Sequence, residues 1–417
     1  MSATHRFSTA LREYTRKQIE QLGTADVVVG IPAYYSDDTI AHVIRQVAAG
    51  LERHYPELRC LVMVADGGST DDTREVAQNV GAHQYNFDII TTIYRGIPGK
   101  GSAFRAVFEA ARFLQARAVA VFDSDLRSIT HQWVKNILDP VFRGYDFVAP
   151  DYLRYKFDGT ITNTIAYNLT RALYGVNIRQ PIGGDFGLSL PLVKHYLDHD
   201  VWESEIAKFG VDIWMTTSAV TGGFKICQAR LGAKIHGEKD PAADLGPMFR
   251  QVVGTIFRLM EENVSFWRRV DTVTTPPTFG DAVDVEPPPF EIDVAQLVDY
   301  FQLGFQNFGP VWRNIVDPQD FPVIESLAQK GADNDFDLPG EAWVRIVYRY
   351  ARTFCRTPRQ RMKVLDTMIP LYNARVASLV TRLRDKDQAA AEAYYDAQAD
   401  LFLAMKPYLL ALWDEEG

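Results

Sequence analysis

The stretch ARAVAVFDSDL, Ala116–Leu126, carries an apolar run that leads straight into Asp123, Ser124 and Asp125. A continuous apolar run of this length reads as a strand buried on both faces. Residues i and i+2 of a strand point to the same side, so Asp123 and Asp125 would converge on one point unless the chain has already left the strand. Two bare carboxylates that close repel and raise each other's pKa. A divalent cation removes the conflict, and oxygen ligands suit Mg2+ or Mn2+, which such sites share with substrate phosphates. The same residues also fit a plainer reading, with one Asp capping the next helix and the other solvated. Their place at the end of a strand favours the metal.

Working outward, the segments on either side repeat the pattern. ADVVVGIPAYY, LRCLVMVADGGSTDDT and DIITTIYR read as strands, and DTIAHVIRQVAAGLERHY, REVAQNVGA and GKGSAFRAVFEAARFLQ as helices. This β-α-β alternation predicts an α/β fold with a mostly parallel sheet covered by helices. Ligands of such sheets sit beyond the carboxyl ends of the strands, where the Asp-rich and Gly-rich turns fall. Further on, TITNTIAYNLTRALYGV, VDIWMTTSAVTG and LGPMFRQVVGTIFRLMEENVSFWRRV read as helices; PIGGDFGLSL reads as a turn feeding a strand, and FKICQARLG as a strand. The domain reading is an N-terminal helical segment over 1–25, with the helix at 8–22 and Ser8 as N-cap. An α/β domain follows over 26–265, then a Pro-rich linker over 266–290 and a helical C-terminal domain over 291–417.

The 417 residues are 47% hydrophobic and 23% charged, an ordinary globular mix. A formal charge of −9 argues against a general nucleic-acid binder. Cys60, Cys227 and Cys355 lie far apart with no CxxC spacing, which fits a reducing compartment. The N-terminus lacks an apolar signal-peptide core and no run reaches transmembrane length, so the expectation is a cytoplasmic protein with no membrane partner.

Three further clusters bear on chemistry. GIPGKGSAF, Gly96–Phe104, sets Lys100 between glycines just before a helix, a pattern that suits phosphate although it is neither a Walker A nor a GxGxxG sequence. His236, in AKIHGEKDP, follows a strand and would complete an Asp/His metal site if its turn lies beside Asp125. IPAYYSDDT and VADGGSTDDT offer Asp66 and hydroxyls for a nucleoside; the plain alternative is two Asx turns with helix caps at Ser36 and Ser69, favoured for Asp37, Asp38, Asp71 and Asp72.

Taken together, IPAYYSDDT, VADGGSTDDT, PGKGSAF, VFDSDL, QPIGGDFGLS, GVDIWM and IHGEKDP resemble, over roughly residues 26–260, the retaining nucleotide-sugar glycosyltransferases of the GT-A fold. The specific resemblance is to the glucosylglycerate and glucosyl-3-phosphoglycerate synthases of family 81 and the mannosylglycerate synthases of family 78. It implies a Rossmann-like, mostly parallel nucleotide-sugar domain followed by a helical C-terminal domain. It implies Mg2+ or Mn2+ held by Asp125 and His236, with Asp123 near the sugar or the metal's water shell. Donor contacts would come from Pro32, Tyr34, Asp66, Ser69, Lys100 and Ser124, and from the Gly183–Gly184 platform. Arg154, Thr162, Ile182 and Asp212 would meet the acceptor, a small anion such as glycerate or 3-phosphoglycerate. One departure is Thr164, which stands where the phosphoglycerate enzymes carry an Arg; it favours unphosphorylated D-glycerate.

The chemistry expected is a substitution with retention. Lys100 and the metal stabilise the leaving diphosphate, and Asp212 and Asp123 act at the reacting sugar. No carboxylate is securely placed as a nucleophile, although Asp212 is conceivable, so a front-face route is favoured over a double displacement. Two alternatives remain: a sugar-phosphate nucleotidyltransferase, against which GIPAYYSDDT lacks a Gly-rich, Arg-containing loop, and a non-catalytic sugar-nucleotide sensor. The aromatic-rich helical tail fits either a homo-oligomer interface or its own core.

Overall fold

A computed structural model describes residues 8–82, 85–237, 245–281, 285–332 and 335–415. In chain order the elements begin with α1 (Glu13–Leu22), β1 (Val27–Ala33), α2 (Ile40–His54), β2 (Cys60–Asp66), α3 (Thr73–Gly81) and β3 (Asp88–Ile93). Next come α4 (Lys100–Leu114), β4 (Ala118–Val121), α5 (His131–Phe142), β5 (Phe147–Leu153), a π-helical turn at Thr162–Ala166 and α6 (Tyr167–Tyr174). Then follow β6 (Phe186–Ser189), α7 (Leu190–Leu197), α8 (Val211–Thr221), β7 (Ile226–Ala233), α9 (Leu245–Glu262), α10 (Val264–Trp267) and β8 (Thr278–Phe279). Six helices close the chain: α11 (Val294–Ile315), α12 (Phe321–Leu327), α13 (Gly340–Arg356), α14 (Arg361–Leu383), α15 (Gln388–Ala404) and α16 (Lys406–Asp414).

The chain divides into two compact units. The first comprises Met1–Leu153, Arg179–Gly237 and Pro276–Pro287; the second comprises Arg154–Ile178, Glu238–Thr275 and Pro288–Gly417. The first unit is built on one sheet in the order β3-β2-β1-β4-β6-β5-β7-β8. Only β6 runs against its neighbours; the other pairings are parallel. All seven residues of β2, and all of β1 but Pro32, are buried, because central parallel strands are covered on both faces. Gly30 lets α4 lie directly on β1, since a Cβ there would sit 2.5 Å from Val107. Most of α4 is buried all round its circumference, as expected of a helix enclosed on every side.

Three local readings change. The helix expected from residue 8 starts at Glu13, with Arg12 at the N-cap position. Ser8 is not a cap: its carbonyl accepts from Arg105, and Ala10 N–H donates to Glu109 at 2.9 Å, so this segment is fastened to α4 instead. Ser36 and Ser69 do not cap helices either; Thr39 and Asp72 occupy those positions. The Pro-rich stretch contributes β8, paired with β7 at the sheet edge, where the lost N–H groups of its prolines are tolerated.

The second unit is helical. Within it, α11 packs on α14, α9 on α13 and α14, and α6 on α15. Residues 154–178 follow β5 in sequence yet belong here. Lys156 Nζ donates to the carbonyls of Leu383, Arg384 and Lys386 at 2.6–2.9 Å, satisfying the open end of α14. Trp343 Nε1 donates to Thr164 O at 2.9 Å, and Tyr167 OH to Asp396 at 2.7 Å. The three cysteines are free and buried. No described helix is long and apolar enough to cross a membrane.

Candidate active site

Strand β4 ends at Val121, so Asp123 and Asp125 already lie beyond the pleat and the same-face argument does not hold for them. Asp123 N–H donates to Asp185 Oδ1 at 2.8 Å. Its carboxylate bridges two ammonium groups: Oδ1 is 2.7 Å from Lys100 Nζ, and Oδ2 is 3.0 Å from Lys234 Nζ. Lys100 also donates to Asp212 Oδ2 at 3.1 Å. Lys234 goes on to Gly183 O at 2.8 Å and Asp185 Oδ2 at 3.1 Å, and Tyr152 OH donates to the same Asp185 oxygen. The result is a chain of alternating charge, buried or half-buried along its length, Asp212–Lys100–Asp123–Lys234–Asp185. Its members come from the first residue of α4, the first turn of α8, the turn after β4, the end of β7 and the turn before β6. All lie at one end of the sheet, where α/β folds place ligands.

Burial and charge compete in this cluster. Burial would lift the Asp123 carboxyl, but Lys100 and Lys234 outweigh it and hold Asp123 well below the usual carboxylate range. Burial would lower Lys100; its two aspartates reverse that and raise it. Asp185 is pushed up to about 7, chiefly by burial, against the opposing pull of Lys234. Burial also raises Asp212, against the pull of Lys100. Asp212 is only 9% exposed, and its Oδ1 has no hydrogen-bond partner among the described residues. A buried carboxylate oxygen left open in this way asks for a ligand hydroxyl.

Gly184 is the floor of the cluster. Its φ is +92°, and a Cβ would lie 2.3 Å from Asp123 Oδ2 and 2.9 Å from Lys100 Nζ. Next to it, a Cβ on Gly183 would strike Pro150 at 2.3 Å. The glycines around Lys100 have a different reason from the one expected. Cβ atoms at Gly99 and Gly101 would meet the carbonyls of Ala207 and Ile206 at 2.6 and 2.0 Å, so they serve close backbone packing.

Asp125 and His236 are brought into neighbourhood by the backbone. Arg127 N–H donates to Ile235 O at 2.8 Å, and Ile235 N–H to Ser128 Oγ at 2.9 Å, which ties the turn after β4 to the chain after β7. Among the described residues no three His, Cys, Asp or Glu side chains gather to hold an ion unaided. Residues 238–241 of the same motif lie outside the described residues.

At the neighbouring ends of β1 and β2, Asp66 is fully buried. It accepts from Gly68 N, Ser69 N and Ser69 Oγ at 2.8, 3.0 and 2.6 Å, an Asx turn closed on itself. Pro32 lies on β1, two residues before Tyr34, which is 61% exposed and packs edge-on to Tyr35. Tyr35 has φ +49°, a left-handed conformation held by its N–H on Ser69 Oγ at 3.0 Å. Ser124 Oγ meets Ser36 Oγ at 2.8 Å. Ile182 directly precedes the Gly183–Gly184 turn and is partly buried. Arg154 and Thr162 belong to the second unit, where Arg154 pairs with Asp158 at 2.7 Å and Thr162 is buried in the π-helical turn.

The structure thus joins Lys100, Asp123, Asp212, Gly183 and Gly184, and adds Lys234, Asp185 and Tyr152, which sequence reasoning passed over. A signal was present: Lys234 stands two residues before His236 at the end of a strand, and Asp185 interrupts an otherwise glycine and apolar turn.

Residues 28–184 match Glycosyl transferase family 2. Among curated proteins the chain is similar to glycosyltransferase AglJ of Haloferax volcanii, 31% identical over 164 residues, covering 38% of this chain and 48% of AglJ, about half its length. It is also similar to glucosyl-3-phosphoglycerate synthase of Mycolicibacterium paratuberculosis, 27% identical over 249 residues, covering 55% of this chain and 71% of the relative. A crystal structure of glucosyl-3-phosphoglycerate synthase from Mycobacterium tuberculosis, in complex with Mn2+, UDP and glucosyl-3-phosphoglycerate, aligns at 24% identity and TM-score 0.47. That alignment covers 60% of this chain and 85% of the other. Residues 28–184 therefore resemble a glycosyl transferase family 2 domain, and the chain is similar to the glucosyl-3-phosphoglycerate synthases.

Proposed function

We propose that the protein is a retaining glycosyltransferase that moves glucose or mannose from a nucleoside-diphosphate sugar to D-glycerate. The observation that carries this is the cluster at the sheet end: a lysine for a diphosphate, a glycine floor at 183–184 and a buried carboxylate with one oxygen open. Lys100 makes two of its three possible hydrogen bonds to protein and has a third N–H for a phosphate oxygen. Asp212 Oδ1 accepts a sugar or acceptor hydroxyl and orients it. Tyr34, exposed at the mouth, supplies a face for the nucleobase.

A divalent ion fits the donor set. Asp125 and His236 would hold it, and diphosphate oxygens and water would complete its shell, which suits Mn2+ or Mg2+ better than a closed all-protein site. When bound, it neutralises charge on the leaving diphosphate. Asp123 acts as counter-ion to two lysines, a role that leaves metal ligation to Asp125 and His236.

Two acceptors are in question. The relatives named glucosyl-3-phosphoglycerate synthase support 3-phosphoglycerate. Against a phosphate, the cations of segment 154–171 are already engaged. Arg154 is on Asp158 at 2.7 Å, Lys156 is on three carbonyls, and Arg171 is on Asp400 at 2.7 Å. With Thr164 contributing no charge, free glycerate is the reading preferred.

The test is to incubate the protein with UDP-, GDP- and ADP-sugars, each acceptor, and Mn2+ or Mg2+, following nucleotide release and glycoside by NMR. An α-linked, metal-dependent product on glycerate is expected. Product on 3-phosphoglycerate alone would replace the acceptor, pyrophosphate release would indicate a nucleotidyltransferase, and binding without turnover a sensor. Asp125→Ala or His236→Ala should raise the Mn2+ concentration needed for half-maximal rate by at least about tenfold. An unchanged requirement would remove that residue from the metal site.

A further inference from the structure

Lys234 is the more enclosed of the two lysines in the cluster. Its side chain is 4% exposed, lies 4.8 Å above the ring of Tyr152, and directs three hydrogen bonds to Asp123, Gly183 and Asp185. An ammonium has three N–H groups, so Lys234 is saturated and fixed, whereas Lys100 on the other side of Asp123 is not. Both lysines neutralise one carboxylate. When the third N–H of Lys100 takes a phosphate oxygen, Asp123 must share that cation with a second anion. A half-buried carboxylate whose only cation is drawn toward another anion is left under-neutralised, so without Lys234 the pull of Asp123 would hold Lys100 back from the diphosphate.

We propose that Lys234 is a positioning residue that acts through Asp123: as the permanent counter-ion, it frees Lys100 to bind the donor diphosphate. It also holds the Gly183 carbonyl and Asp185 carboxylate, and so keeps the glycine floor in register with Asp123. This rests on the transferase reading above, in which Lys100 meets the diphosphate.

The proposal predicts a thermodynamic coupling that packing alone would not produce. With Mn2+ present, the Kd for the nucleoside diphosphate that binds the natural protein best, among UDP, GDP and ADP, is measured by calorimetry. The proteins compared are the natural one, Lys234→Met, Asp123→Asn and the double variant, each checked for fold by circular dichroism. Lys234→Met should weaken binding about tenfold or more, because Asp123 then grips Lys100 alone. Adding Asp123→Asn should restore affinity to within about threefold of Asp123→Asn by itself, a strongly non-additive cycle. Diphosphate affinity unchanged in Lys234→Met, or additive losses in the double variant, would overturn the proposal. Should Lys234→Met fail to fold, Lys234→Arg takes its place: keeping the charge should keep the affinity within about threefold, and a tenfold loss would count against the counter-ion role. Failure of the natural protein to bind any of the three nucleotides would instead fault the transferase reading.

Discussion

Asp212 is held by one of its two oxygens. Lys100 takes Oδ2, and Oδ1 is buried and open. If that oxygen orients a reacting hydroxyl, Asp212→Asn should lower kcat about 10²- to 10³-fold, in line with losing one preorganised polar contact. Nucleotide affinity should stay within about threefold of the natural protein, because the contacts proposed for the nucleoside lie elsewhere. Initial rates against calorimetric Kd separate the two; equal losses in both would make Asp212 a binding residue. Asp185 gives a stability prediction. Its folded pKa is about 7, above the unfolded value near 4, so the native state binds the proton more tightly. Between those values unfolding releases a proton, and this contribution to stability falls as pH rises from about 4 to about 7, then levels off. Replacing Asp185 by Asn should flatten that part of the melting temperature profile between pH 5 and 7, and an identical slope in both proteins would contradict it. At this scale the sequence was legible for residue type and loop position: Lys100, Asp123, Asp212 and Gly184 were all singled out. Lys234 was not, because a lysine at a strand end is ordinarily a solvated residue, and only its partners distinguish it.

At the scale of elements, most strands and helices follow from apolar period alone. β1 and β2 are continuous buried runs, and α2 repeats Ile40, Val43, Ile44, Val47 and Leu51 on its buried face. Element starts were less legible. α1 begins five residues after Ser8, because the segment before it is drawn onto Glu109 and Arg105, a contact about a hundred positions away in sequence. The closest approach of α11 to α14 in the second unit depends on a small residue. A Cβ on Gly304 of α11 would lie 2.2 Å from the Cβ of Pro370 in α14. Gly304→Ala should force the two helices apart and cost about 1–3 kcal/mol of stability, the usual range for overpacking. Urea denaturation measures it, and a neutral or stabilising result, from the better helix propensity of Ala, would show that the pair has room to yield.

For the whole molecule, the division into units is not the linear one read along the chain. Residues 154–178 and 238–275 cluster with the C-terminal helices, so neither unit is one continuous stretch. A chain truncated after Phe290 would keep α6, α9 and the π-helical turn but remove α13, α14 and α15, against which they pack. It would also strip Lys156 of its three carbonyl acceptors, Thr164 O of its donor Trp343, and Tyr167 of Asp396. That truncation should be insoluble or lose its cooperative melting transition, which thermal denaturation followed by circular dichroism would reveal; a folded, cooperative fragment would refute the division.

The sequence by itself determined the α/β alternation, the loops where the candidate site gathers and the residue types within them, because apolar period and turn chemistry are written in neighbouring positions. Tertiary structure alone decided which charges meet: that Asp123 faces two lysines, that Asp212 keeps one oxygen open, and that segment 154–178 is built into the helical unit. The physical reason is that the state of a buried charge depends on what lies within a few ångströms of it. Asp123, Lys100, Lys234 and Asp212 span more than a hundred residues of sequence, and only the folded chain brings them within hydrogen-bonding distance.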